Sequence, residues 1–128
     1  AEEIDDYCLY LEQLTDLIKK EAHQKCNIKI IGFSQGTATV SRWMLKTKHK
    51  IETLILWGGK IAYDFNFSLY KEKHSETRNY MVFGKEDEFY SKEDIQTYQK
   101  DLSDFKTEWI SYNGGHTIVA KTLKLLEN

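Results

Sequence analysis

Ile28-Lys29-Ile30-Ile31-Gly32-Phe33-Ser34-Gln35-Gly36 is an apolar run that breaks on two glycines spaced four residues apart. Ala38, Val40, Trp43, Met44 and Leu45 follow it at helical spacing, so the stretch reads as strand, sharp turn and helix. Moving toward the C-terminus, the unit recurs. Ile51 to Trp57 is almost continuously apolar and stops at Gly58-Gly59, as a strand covered on both faces does, which places it in a parallel sheet. Asn79-Tyr80-Met81-Val82-Phe83 predicts a third strand that stops at Gly84 and enters the acidic loop Lys85-Glu86-Asp87-Glu88. Ser91 and Asp94 form a capping box for a helix whose Ile95, Tyr98, Leu102 and Phe105 share one face. Thr107 to Tyr112 alternates as a last strand, Asn113-Gly114-Gly115 turns the chain, and His116 is expected at the mouth of a final helix burying Ile118, Val119, Leu123 and Leu126.

Toward the N-terminus, residues 1 to 25 set Ile4, Tyr7, Cys8, Leu11, Leu14, Ile18 and Ala22 at steps of three and four among charged neighbours. That is an amphipathic helix which must cover an apolar surface. The predicted order is therefore α-β-α-β-α-β-α-β-α with connections of crossover length. Right-handed crossovers turn it into an α/β fold, a three-layer, open and mostly parallel sheet of about four strands with flanking helices.

Composition narrows what such a fold does. The 128 residues carry 18 Lys and Arg against 20 Asp and Glu, a net charge of -2, and 41% apolar residues without a proline. One soluble globular domain over residues 1 to 128 is expected, since no linker, repeat or low-complexity segment divides it. Charges of both signs are interspersed, which leaves no positive field for nucleic acid, and no apolar run nears the ~20 residues of a membrane span. Cys8 and Cys26 are too few for a disulfide framework and would lie roughly 27 Å apart along one helix, so both are expected as reduced thiols in a cytoplasmic setting.

Gly32-Phe33-Ser34-Gln35-Gly36 is a G-x-S-x-G motif, and it sits where the motif has meaning, closing a strand and opening a helix. A serine lifted onto so tight a turn takes a strained backbone, and small residues two positions to either side are expected to let the turn close. The following helix aims its first amides at the serine, so the Gln35 N–H is a candidate oxyanion donor. A serine hydroxyl becomes a competent nucleophile when a neutral histidine takes its proton, and that histidine needs a carboxylate to hold its tautomer. In an open parallel sheet the carboxyl ends of the strands share one edge, which brings loops distant in sequence together. Asp87 follows the third strand and His116 the fourth, giving the chain order Ser34, Asp87, His116. His23, His49 and His74 lie away from strand ends and are expected to be solvated. Glu86 or Glu88 takes the place of Asp87 if the loop is read one residue out of register, and Asp64, Asp94 and Asp104 read as ordinary loop or helix-end acids.

On Gly32-Phe33-Ser34-Gln35-Gly36, Gly84-Lys85-Glu86-Asp87 and Gly114-Gly115-His116 the chain resembles the α/β-hydrolase superfamily. Within it, the chain is similar to the C-terminal part of the phospholipase/carboxylesterase group of small serine esterases, which includes acyl-protein thioesterase-like enzymes. The resemblance implies hydrolysis of a carboxylic ester or thioester through Ser34, His116 and Asp87, with no metal or organic cofactor. It also implies further strands ahead of the first helix and a loop from that region bearing a second oxyanion N–H. The edge of the strand Ile28 to Phe33 is then expected to be paired with a second copy, another chain, or residues preceding Ala1. A hydrolase-fold module that binds a partner through this edge is the rival reading, and a flavodoxin-like ligand-binding domain a third. For the crossover from Lys60 to Thr77, two roles stay open for Tyr63, Phe65, Phe67 and Tyr70: lining an apolar substrate pocket, or packing on the sheet.

Overall fold

A computed structural model describes residues 2–22, 26–89, 91–103 and 105–126. Four strands form one sheet in the order β1-β2-β3-β4: β1 Lys29–Phe33, β2 Thr53–Trp57, β3 Arg78–Gly84 and β4 Thr107–Tyr112. Every neighbouring pair is parallel, with Phe33 beside Trp57, Trp57 beside Val82 and Gly84 beside Tyr112. All four carboxyl ends therefore come out on one edge, as the α/β reading requires. Each crossover is spanned by a helix: α2 Gly36–Lys46, α3 Phe67–Lys73 and α4 Lys92–Asp101, with α1 Glu2–Glu21 before the sheet and α5 Ala120–Leu125 after it.

The central strand β2 is buried at every position, which explains its unbroken apolar sequence. On one face of the sheet, Val40, Trp43 and Met44 of α2 meet Leu54, Leu56 and Met81 in the larger core, to which Cys8 and Leu11 of α1 and Ile95 and Tyr98 of α4 add. The other face holds a smaller cluster of Ile55, Trp57, Tyr80, Val82, Tyr112 and Leu126. α4 carries the expected capping box: Ser91 accepts from the Asp94 N–H at 3.1 Å, and the Asp94 carboxylate accepts from the Ser91 N–H at 3.1 Å.

Several expectations change. α1 packs against α2 and, among its described side chains, turns Cys8, Leu11 and Thr15 inward, while Tyr7, Leu14 and Ile18 remain exposed together with Leu17 and Tyr10. α5 begins four residues later than His116, and Ile118 precedes it as an exposed residue, while Val119, Leu123 and Leu126 pack inward. The aromatic crossover is also resolved. Phe65, Phe67 and Tyr70 pack into the larger core, and Tyr63 points into solvent.

Two of the histidines expected in solvent are enclosed instead. His49 Nε2 lies 2.7 Å from Asp16 Oδ1, because the turn after α2 folds back onto α1, where Glu12 accepts from Thr47 Oγ1 at 2.6 Å and the Lys48 N–H at 3.1 Å. His74 is 6% exposed and its Nε2 donates to the Met44 carbonyl at 2.6 Å. His23 and Asp104 lie outside the described residues.

Candidate active site

The turn from β1 into α2 places Ser34 at φ 58°, and among the described residues no other non-glycine has positive φ. Such a conformation costs about 1–3 kcal/mol and persists because its surroundings over-determine it. The Ser34 N–H donates to Trp57 O at 3.0 Å, the Ser34 carbonyl accepts from the Thr37 N–H at 3.1 Å, and Thr37 Oγ1 lies 2.7 Å from the same carbonyl and 2.8 Å from that of Lys60. Glycine is required on one side of the turn but not on the other. A Cβ on Gly32 would meet Gly36 O at 2.9 Å, whereas one on Gly36 would meet nothing within 4 Å. The second close approach comes instead from Gly59, where a Cβ would fall 2.0 Å from Ser34 O. Contrary to the expectation of small residues on both sides, Gly36 is not required by space: α2 starts there with open space around it.

Ser34 Oγ lies 2.9 Å from His116 Nε2, and His116 Nδ1 lies 2.9 Å from Asp87 Oδ2. These distances assign the tautomer: Nδ1–H donates to the carboxylate, and Nε2 accepts from the serine hydroxyl. Asp87 is buried completely, its other oxygen accepts from the Phe89 N–H at 2.8 Å, and its own N–H donates to Gly84 O at 3.1 Å. Glu86 and Glu88 are both exposed, and Asp87 is the acid that bonds the histidine. The His116 side chain keeps 23% of its surface open, between the stacked ring of Phe33 at 5.0 Å and the tilted ring of Phe89 at 4.7 Å.

Glycines set the loops that carry these groups. Gly58, at φ 61°, lies under the Asp87–His116 hydrogen bond, where a Cβ would reach 3.2 Å from Asp87 Oδ2 and 3.4 Å from His116 Nδ1. The acid and histidine loops are joined by Lys85 N–H to Tyr112 O and Glu86 N–H to Gly114 O, both at 2.9 Å. Ser34, His116, Gln35, Lys60, Glu88 and Phe89 border an open depression of about 800 Å³. Gln35 is exposed at the N-terminal end of α2, in line with the helix dipole. At the rim Lys60 Nζ lies 3.6 Å from Asp94. Burial raises the Asp94 pKa, but the hydrogen bonds from Ser91 and the charge of Lys60 outweigh it, holding the carboxyl below its ordinary value.

Two residues of the site were not legible in the sequence: Phe89, which looks like one apolar residue in an acidic loop, and Thr37, whose hydroxyl joins the nearby Ser34 carbonyl to the distant one of Lys60. No member of the aromatic crossover borders the depression; its aromatic wall is Phe89. Among the described residues no group of three or more His, Cys, Asp and Glu could hold a metal ion, and no helix is long and apolar enough to cross a membrane.

The sequence profile of the phospholipase/carboxylesterase family matches residues 1–128. No curated protein matches by sequence. Among solved structures, the chain is similar to SOBER1 of Arabidopsis thaliana at 23% identity and a TM-score of 0.74, covering 97% of this chain and 61% of that one. It is also similar to a phospholipase/carboxylesterase from Dyadobacter fermentans (20% identity, TM-score 0.72, 98% of this chain and 62% of that one). A third is acyl-protein thioesterase 2 of Zea mays (16% identity, TM-score 0.70, 98% of this chain and 62% of that one). The chain thus spans about three fifths of these structures, and the likeness establishes the α/β-hydrolase-like fold.

Proposed function

The chain belongs to the phospholipase/carboxylesterase family, and from that premise we propose that it is a serine hydrolase acting on carboxylic esters or thioesters. The observation that carries this reading is the line Ser34 Oγ, His116 Nε2, His116 Nδ1 and Asp87 Oδ2, with both links at 2.9 Å. In this mechanism His116 takes the Ser34 proton as Oγ attacks the acyl carbon, and the buried Asp87 carboxylate stabilises the imidazolium that forms. The Gln35 N–H donates to the oxyanion of the tetrahedral intermediate. As the intermediate collapses, His116 returns the proton to the departing alkoxide or thiolate, leaving the acyl group on Ser34. Water then gives up a proton to His116, attacks the acyl-enzyme and releases the carboxylic acid and free Ser34. No metal or organic cofactor takes part. Phe89, exposed beside the depression, favours a substrate with an apolar portion near the reacting carbonyl. A cytoplasmic setting, in which Cys8 and Cys26 stay as the free thiols of the structure, belongs to the same reading.

One observation favours a second reading, a module that binds a partner or a second copy through the sheet edge: β1 has a strand on one side only among the described residues, and Ile31 is exposed there. A fluorophosphonate probe separates the two. The hydrolase reading expects covalent labelling at Ser34, lost in Ser34→Ala and strongly slowed in His116→Ala. An unlabelled Ser34 in folded protein would remove the hydrolase reading and leave the binding one.

A further inference from the structure

His116 sits on a segment with no regular secondary structure, directly after Asn113-Gly114-Gly115, the most permissive backbone composition in the chain. Its own local bonding is slight: the Thr117 N–H donates to Gly115 O at 3.0 Å, closing a three-residue turn with His116 at its apex. Something else must fix the Cα of a residue whose ring has to serve Ser34 and Asp87 at once. The last residue of β4 supplies it. Tyr112 is buried, and its hydroxyl lies 3.0 Å from Gly115 O and 2.6 Å from Thr117 O, the carbonyls on either side of His116. The Trp57 indole Nε1–H donates to that same hydroxyl at 3.0 Å. A phenol has one hydrogen to give, and because the indole is a donor only, it takes a lone pair and leaves the hydrogen for the two carbonyls.

We propose that Tyr112, oriented by Trp57, is a positioning residue for His116, clamping the carbonyls of the residues before and after it so that the imidazole reaches Ser34 and Asp87 together. Tyr112 does not touch the reacting atoms; it acts through the His116 backbone, while Phe33 and Phe89 hold the ring. Both clamp residues lie in the smaller core, Trp57 fully buried on the central strand and its ring 5.7 Å from that of Tyr112. The histidine loop is thereby referenced to the rigid sheet instead of to its own glycines, and a misplacement on the scale of 1 Å costs roughly 100-fold in rate.

The inference rests on the serine-hydrolase reading for its kinetic arm and not for its spectroscopic one. Tyr112→Phe keeps the ring and removes the hydroxyl. It is expected to lower kcat for a simple ester about 10- to 100-fold with KM changed less than about twofold, and to weaken by exchange broadening the low-field proton resonance of His116 Nδ1–H bonded to Asp87. Leu126→Ala cuts into the same cluster without touching the hydroxyl, and is expected to lower the melting temperature while leaving both kcat and that resonance as in the parent. Parental kcat and resonance in Tyr112→Phe would overturn the proposal, as would an equal fall of both in Leu126→Ala. A parent that neither hydrolyses esters nor labels at Ser34 would defeat the hydrolase reading, and the resonance comparison would still decide the clamp.

Discussion

His74 shows how much one residue's surroundings change its chemistry. It is buried beside Tyr70, with ring centroids 5.2 Å apart, and donates to the Met44 carbonyl. Burial pushes its pKa below the ordinary 6.5, the carbonyl's opposing pull is smaller, and the charge of Lys73 adds to the lowering. The unfolded chain therefore binds a proton on His74 more readily than the folded one. Stability from this residue is complete above about pH 6.5, declines as pH falls through that value toward the lowered folded pKa, and levels off below it. His74→Gln retains an N–H for the Met44 carbonyl and cannot titrate, so its urea midpoint is expected to fall less between pH 7.5 and 5.5 than the parent's. Equal losses over that interval would show that another group carries the acid sensitivity. In the sequence His74 stood in a charged crossover and read as solvated, because the carbonyl it meets belongs to α2, thirty residues away.

At the scale of elements, the hinge between α2 and the loop after β2 is Thr37. It is fully buried in the first turn of α2, and its single hydroxyl hydrogen is shared between the carbonyls of Ser34 and Lys60. Thr37→Val preserves shape and leaves the Lys60 carbonyl without this donor, so a loss of about 1–3 kcal/mol in urea unfolding is expected. Initial rates of Ser34 labelling should fall as well, since the turn and the Gly58-Gly59 loop are no longer tied. A change below about 0.5 kcal/mol with unaltered labelling would contradict this coupling. Much of the element pattern was legible before any coordinates. Apolar runs halted by glycine mark the first three strands and alternation marks the fourth, and the order of strands and helices leaves one sheet edge where Ser34, Asp87 and His116 meet. What escaped has a common physical origin. The strained turn at Ser34 is held by Thr37 and closely approached by Gly59, the wall of the depression is Phe89, and the histidine loop hangs on Tyr112. These are hydrogen bonds and contacts made by turns and loops, some across many residues, as from Thr37 to Lys60, and some within one loop, as from Tyr112 to Gly115 and Thr117, and strand or helix periodicity encodes neither kind. The limits of α1 and α5 escaped for a different reason: helical periodicity over residues 1 to 25 says which residues share a face, but not how much of that face finds a partner.

Across the whole molecule the two faces of the sheet are unequally covered. Four helices contribute to the larger core, whereas the other face has α5, a helix of six residues, over β3 and β4. The consequence falls at β1. Its free edge among the described residues carries Ile31, exposed on the face of the smaller cluster, and on the opposite face of the sheet α1 exposes Tyr7, Tyr10, Leu14, Leu17 and Ile18. A free row of strand N–H and C=O groups next to apolar surface is a template for further pairing, and neither a proline nor a bulge blunts it. In a solution of the 128 residues alone, a second copy is the available partner, so light scattering is expected to report a mass that rises with concentration. Ile31→Lys combined with Leu17→Lys places one charge beside the β1 edge and one on the exposed side of α1, while leaving the buried side of α1 and the line from Ser34 to Asp87 untouched. The double variant is expected to scatter as a monomer at concentrations where the parent associates, with an unchanged circular dichroism spectrum. Association that persists in the double variant would move the contact elsewhere, and a parent that stays monomeric throughout would overturn the expected pairing between copies.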